Sequence, residues 1–123
     1  MNGDSLVLDT NIVLYYLNGE ETLIPVLEEK LLYLSFITQL ELLSFPGISD
    51  SEIIAINGFI DECIVIDISS RIKDYCIELR KKYRLKLPDA IVTATAQYLN
   101  IPIISADRDI RKIEEIDLIF FQK

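Results

Sequence analysis

Four acidic residues stand where a solvent-facing acid has little reason to be. Asp9 ends the apolar run of "SLVLDTN" (5–11), and Glu41 sits between leucines in "ITQLELLSF". Asp89 opens "PDAIVTATA", a stretch of small and apolar residues, and Asp107 follows "IPIIS" after a single alanine. Taken singly, each has an ordinary structural role. Asp9 and Asp89 can cap helices, Asp107 can close a turn, and Glu41 can face water on an amphipathic helix. Taken together, they call for something else. Two follow strand-like runs and a third opens a helix of small residues, so the four can converge on one end of a sheet. Converging carboxylates repel unless they are protonated or neutralised by a cation. A hard divalent ion, Mg²⁺ or Mn²⁺, suits an all-oxygen donor set, and such a site activates water and polarises a phosphoryl oxygen. On this reading Asp9 is a ligand rather than a cap, and capping falls to Thr10 and Asn11.

The rest of the composition narrows the chemistry further. The chain of 123 residues contains no histidine, which excludes Ser-His-Asp and Cys-His catalysis and nearly every catalytic zinc site. Its four glycines, at 3, 19, 47 and 58, spell neither a P-loop nor a dinucleotide fingerprint. Two cysteines, Cys63 and Cys76, are expected to be reduced thiols in a cytoplasmic protein. No leader is expected from Met1-Asn2-Gly3-Asp4, and no apolar run approaches the ~20 residues of a membrane helix. The acid pairs Glu28-Glu29, Asp61-Glu62 and Glu114-Glu115 read as surface.

The formal net charge is −8, but it is unevenly spread. Residues 1–70 hold twelve acids and one base, Lys30, whereas residues 71–123 hold eleven bases and eight acids. Seven of those bases lie between Arg71 and Lys86, among them Arg80, Lys81, Lys82, Arg84 and Lys86. The segment is either a solvated helix face or a patch that attracts phosphate, with Arg108 a further candidate.

The elements that must position these side chains alternate between strand and helix. Strands are expected at Ser5–Leu8, Leu31–Phe36, Cys63–Ile68, Ile101–Ser105 and Leu118–Phe121. The third of these is nearly continuous in isoleucine and valine, as for a strand covered on both faces. Helices are expected at Thr10–Leu17, Glu20–Lys30, Ile37–Phe45 and from a Ser49 cap to about Glu62. Others follow the Ser69-Ser70 cap and run from Asp89 to Leu99, with a helical turn near 108–114. The pattern predicts one three-layer α/β/α domain, residues 1–123, around a mostly parallel sheet of about five strands. Periodicity does not give the strand order.

"VLDTNIVLYYLNG", the isolated glutamate of "TQLELL" and "LPDAIVTATAQYLNIPIISADRDI" together resemble the PIN-domain family of metal-dependent ribonucleases. Within that family the chain resembles the compact VapC-like toxins of type II toxin–antitoxin pairs, over essentially its whole length. The resemblance implies that Asp9, Glu41, Asp89 and Asp107 are the metal-binding and catalytic acids. Asp9, Glu41 and Asp89 would hold one Mg²⁺ or Mn²⁺, with Asp107 ligating directly, through water, or at a second ion. Ser105 falls where the family has a supporting hydroxyl, Asn11 on the polar residue after the first acid, and Asp109 on a frequent extra acid. Ile110 departs from the family's usual phenylalanine, a change of packing. The implied activity is endoribonucleolytic hydrolysis of RNA, with a cognate antitoxin and a homodimer as implied assemblies. Two other classes compete. A phosphoacceptor receiver domain needs an acid pair after its first strand, where this chain has Asp9-Thr10-Asn11. A PIN-like module that only binds RNA or protein would not need all four acids.

Overall fold

The computed structural model describes residues 4–122; residues 1–3 and Lys123, part of the domain expected over 1–123, lie outside the described residues. Five strands, β1 (Ser5–Leu8), β2 (Leu31–Ser35), β3 (Ile64–Ile66), β4 (Ile103–Ser105) and β5 (Leu118–Phe120), form one sheet in the order β3-β2-β1-β4-β5. Every pairing is parallel. Six helices connect them: α1 (Thr10–Leu17), α2 (Ile24–Leu27), α3 (Phe36–Ser44), α4 (Asp50–Asp61), α5 (Ser70–Lys82) and α6 (Leu87–Leu99).

Alternation along the central strands sorts the core into two layers. Leu6 and Leu8 of β1 and Ile104 of β4 pack with Ile12, Val13, Leu42, Ile56 and Phe59 from helices on one face. Val7 and Ile103 point the other way, against Val92 and Ala96 of α6. Strands covered on both sides read as continuous apolar runs, and β1 and β4 do. α6 is buried along most of its length, from Ala90 to Ala96, which is why its residues are small.

The chain order fixes where a ligand can enter. From β1 the chain moves outward through β2 to β3, then crosses back to β4 on the other side of β1. The reversal leaves a crevice beyond the carboxyl ends of β1 and β4, the switch point where open α/β sheets bind ligands. Asp9 and Asp107 follow those two strands.

Four expectations are corrected here. Glu20–Lys30 is a single turn of 3₁₀ helix over Glu21–Leu23 followed by the four-residue α2. Pro25 has no N–H to continue the ladder, and Glu29 ends the segment in the left-handed region at φ 61°. The strand expected over Cys63–Ile68 pairs only over Ile64–Ile66 and is the sheet's edge, so Ile64 is 42% exposed rather than covered on both faces. Its ladder stops where the Asp67 carboxylate accepts from the Ile68 N–H at 2.8 Å. The turn expected over 108–114 is a three-residue 3₁₀ turn, Arg108–Ile110. α6 also begins two residues early, at Leu87, with Pro88 in the first turn, where its missing N–H costs nothing. Both cysteines are free thiols, as expected, and burial pushes that of Cys63 up to about 11. Among the described residues, no helix is long and apolar enough to cross a membrane.

The caps read at Ser49 and at Ser69 are formed. Ser49 and Glu52 exchange hydrogen bonds as a capping box for α4. Ser69 Oγ accepts from the Ile72 N–H at 3.2 Å to start α5. Ser69→Ala is expected to cost about 1 kcal/mol, read as a lower urea midpoint at unchanged m-value.

Candidate functional site

Asp9 lies at the joint of β1 and α1, 6% exposed. It does hold the N-cap position, which corrects the expectation that capping falls only to its neighbours. Its Oδ1 accepts from the Thr10 N–H at 2.8 Å, and its Oδ2 from the Ser105 hydroxyl at 2.6 Å. The strand–helix joint therefore supplies both the cap and the means of fixing a buried carboxylate in one orientation. Burial raises the Asp9 pKa, the two hydrogen bonds oppose the rise, and the charges of Asp107 and Glu41 add to it.

Ser105, fully buried at the end of β4, serves two acids at once. It donates to Asp9 and accepts from the Asp107 N–H at 3.0 Å. Asp107 in turn caps the 3₁₀ turn, its Oδ1 accepting from the Asp109 N–H at 2.9 Å. That turn carries Asp109 back toward the first turn of α6, where Asp89 sits. Asp89, Asp107 and Asp109 each offer a carboxylate oxygen within 4.8 Å of the other two.

The electrostatic consequence falls on Asp89, whose pKa is pushed up to about 7. Burial is the largest cause, followed by the charges of Asp107 and Asp9, a hydrogen bond with Asp107 and the charge of Asp109. Every neighbour acting on Asp89 pushes the same way. Neither of the ion pairs Lys81–Glu78 and Lys82–Glu115 involves these acids. An all-oxygen donor set with a surplus of negative charge fits a hard divalent cation.

Glu41 stands apart from the three clustered acids. It is half-buried on α3 and acts on Asp9 through its charge. Its Oε1 accepts from the Thr10 hydroxyl at 2.6 Å, which lies 3.4 Å from the hydroxyl of the buried Thr38. Thr10 was legible only as a helix starter. The signal for more was a hydroxyl next to the first acid, facing a helix with its own glutamate. Asn11 is exposed, one residue further along α1. Asp109, expected as an extra acid, is instead one of the three that lie closest together.

Among the basic candidates, Lys81 and Lys82 hold the ion pairs just named, at 3.5 and 3.1 Å. Arg80 Nε donates to the Leu85 carbonyl at 3.4 Å. Arg80, Arg84 and Lys86 line a cavity that also touches Asp109. Arg108 is exposed on the 3₁₀ turn between Asp107 and Asp109.

Comparison with curated protein sequences gives no match. Solved structures give several. A structure of VapBC2 from Rickettsia felis bound to promoter DNA aligns at TM-score 0.85 and 20% identity, covering 96% of this chain and 99% of that one. VapBC-1 from nontypeable Haemophilus influenzae aligns at TM-score 0.81 and 21% identity, over 94% and 97%. A toxin–antitoxin complex from Klebsiella pneumoniae is 28% identical at TM-score 0.79, over 90% and 94% of the two chains. The PIN domain model matches residues 6–116, a span that runs from β1 through β4 and includes all four acids picked out in the sequence. With acids gathered at the switch point of a 3-2-1-4-5 parallel sheet, and that match over most of its length, this chain belongs to the PIN domain family.

Proposed function

We propose that this chain is a metal-dependent endoribonuclease, and the toxin of a type II toxin–antitoxin pair. The observation that supports the activity most directly is the crowding of Asp89, Asp107 and Asp109 beside buried Asp9, with the Asp89 pKa pushed up to about 7 by burial and then by the charges of Asp107 and Asp9. A bound Mg²⁺ or Mn²⁺ would supply the Lewis acid and the activated water for phosphodiester hydrolysis. The chain's own residues do the rest. Asp9, Glu41, Asp89 and Asp107 hold the ion, with Asp109 an added donor at the exposed edge. Ser105 and Thr10 fix the orientation of Asp9, and Thr10 also fixes Glu41. With no histidine in the chain, accepting a proton near neutral pH falls to a carboxylate of this cluster. Arg108 and the basic segment 71–86 offset the acidic body when RNA approaches.

An antitoxin partner is supported by the likeness to the toxin–antitoxin complex from Klebsiella pneumoniae. A homodimer and a cytoplasmic location complete the proposal.

Purified protein incubated with a mixed RNA pool tests the activity. Cleavage in Mg²⁺ or Mn²⁺ that EDTA abolishes supports it, whereas intact RNA under all conditions leaves a module that only binds. Thr10→Val removes the hydroxyl that orients Glu41 and keeps the backbone N–H that Asp9 uses. It is expected to weaken Mn²⁺ binding about tenfold, the usual effect of losing an outer hydrogen bond to a ligand. Titration calorimetry with Mn²⁺ alone measures it.

A further inference from the structure

Two loops that flank the acid cluster are tied to each other by side chains. One is residues 83–86, which lead from α5 into α6 and Asp89. The other is residues 111–115, which follow the 3₁₀ turn bearing Asp109. The Tyr83 hydroxyl donates to Glu115 Oε1 at 2.7 Å and accepts from the Glu114 N–H at 3.1 Å. Lys82 Nζ reaches Glu115 Oε2 at 3.1 Å and lies 5.4 Å from the centre of the Tyr83 ring. Lys112 Nζ donates to the Arg84 carbonyl at 3.1 Å. The Tyr83 bond holds the Glu115 carboxyl below the ordinary range, so the hydroxyl meets a charged acceptor, which bonds more strongly than a neutral one.

The tie works against a force that the site itself generates. Asp89, Asp107 and Asp109 bring carboxylate oxygens within 4.8 Å of one another, and like charges at that spacing repel. Asp89 sits on a helix buried from Ala90 to Ala96, and Asp107 follows a fully buried strand. Asp109 is exposed, on a turn of three residues. It is the acid that repulsion can move. Ile110 and Ile113 anchor the turn in the core, but apolar burial has no preferred direction. Hydrogen bonds do, and the Glu114 N–H takes as its partner a hydroxyl 31 residues away.

We infer that Tyr83 is a positioning residue that, through Glu114 and Glu115, holds the 3₁₀ turn and its Asp109 toward the first turn of α6, opposing the repulsion from Asp89. It acts through the backbone between Asp109 and Glu114. Occupation of the cluster by a cation rests on the nuclease reading, but the restraint on the turn does not.

The test is a double-mutant cycle on the full chain, with Mn²⁺ alone as the probe in titration calorimetry. Tyr83→Phe keeps the ring and removes both hydrogen bonds of the hydroxyl. It is expected to weaken Mn²⁺ binding about fivefold, the scale of coupling carried through intervening residues. In an Asp109→Asn background the same substitution is expected to change affinity by less than about twofold, because the acid it positions is gone. Ser69→Ala, which weakens α5 at its other end, controls for lost stability and is expected to bind Mn²⁺ as the parent does. Unchanged affinity in Tyr83→Phe, an equal loss in both backgrounds, or an equal loss in Ser69→Ala overturns the inference. Amide hydrogen exchange of the metal-free proteins is followed alongside. Faster exchange at Asp109 and Ile110 is expected in Tyr83→Phe, and an unchanged rate overturns the restraint. A parent that binds no Mn²⁺ removes the nuclease reading, and faster exchange in the variant then still upholds the restraint.

Discussion

Asp9→Asn is expected to reduce cleavage of RNA by roughly 10²–10⁴-fold, the usual scale for removing a charged group from a catalytic centre. The substitution is nearly isosteric, so the fold should persist. What changes is charge and the pattern of acceptors. Asp9 accepts at both oxygens, from Thr10 and from Ser105. An asparagine offers one acceptor and one donor, so the Ser105 bond is kept only by reversal, with the amide donating to the hydroxyl and the hydroxyl proton losing its acceptor. Against that loss, burial already disfavours the Asp9 carboxylate, and a neutral amide removes this penalty. The two effects oppose each other, and the melting temperature is expected to move by only a few degrees. Mn²⁺ affinity, by contrast, falls with the lost charge. Activity within tenfold of the parent, in protein purified away from host nucleases, would remove Asp9 from the site.

The contrast between a large catalytic effect and a small structural one follows from where Asp9 sits. It is delivered by β1, whose Leu6, Val7 and Leu8 are almost wholly buried, so its position is fixed by packing on both sheet faces. Sequence patterning reaches this far. An apolar run covered on both sides, followed by an acid, predicts both the strand and the placement of its final side chain. The same holds for β4 and Asp107, and for α6, whose small residues announced a buried helix. Patterning fails where geometry depends on partners distant in sequence. Strand order came only with the pairing of β1 to β4, which brings Ser105 against Asp9. The nearness of Asp109 to Asp89 depends on a three-residue turn that no periodicity encodes. Local backbone rules override hydrophobicity at Pro25, which divides the expected helix into a 3₁₀ turn and a short α2, and at Asp67, whose carboxylate stops a strand that hydrophobicity alone would extend. The basic segment shows a further limit. Its net charge is plain, but which cations pair with Glu78 and Glu115, and which line a cavity with Asp109, is decided by the folded structure.

The clustered acids also predict an unusual dependence of stability on pH. Asp89 has an ordinary carboxyl pKa when the chain is unfolded and one of about 7 when it is folded without a cation. Between those values the folded state binds the extra proton, so this residue's stabilising contribution is full in acid and is lost as pH rises through about 7. A shift of this size would be worth about 4 kcal/mol if nothing screened it, at about 1.4 kcal/mol per pKa unit. Water reaches this half-buried group, and screening leaves about 1–2 kcal/mol. Removing the carboxylate should therefore stabilise the metal-free protein. Asp89→Asn in EDTA is expected to melt roughly 3–6 °C above the parent at pH 8, above it by roughly 0.4 of that difference at pH 5, and at nearly the same temperature only below the ordinary carboxyl pKa. Glu52 and Glu115 act in the opposite direction, because hydrogen bonds from Ser49 and Tyr83 hold their carboxyls below the ordinary range. Their stability is present above that range and lost in acid, in parent and variant alike, so the difference between the two isolates Asp89. Added Mn²⁺ binds the folded parent and reverses the comparison, raising its melting point at pH 8 while the variant, short of a ligand, responds less. A variant that melts below the parent at pH 8 in EDTA would mean that the acids do not repel one another at rest. Asp89→Asn, expected to reduce cleavage as Asp9→Asn does, should thus make the metal-free protein more stable, because the repulsion among the clustered acids weakens the fold without a cation.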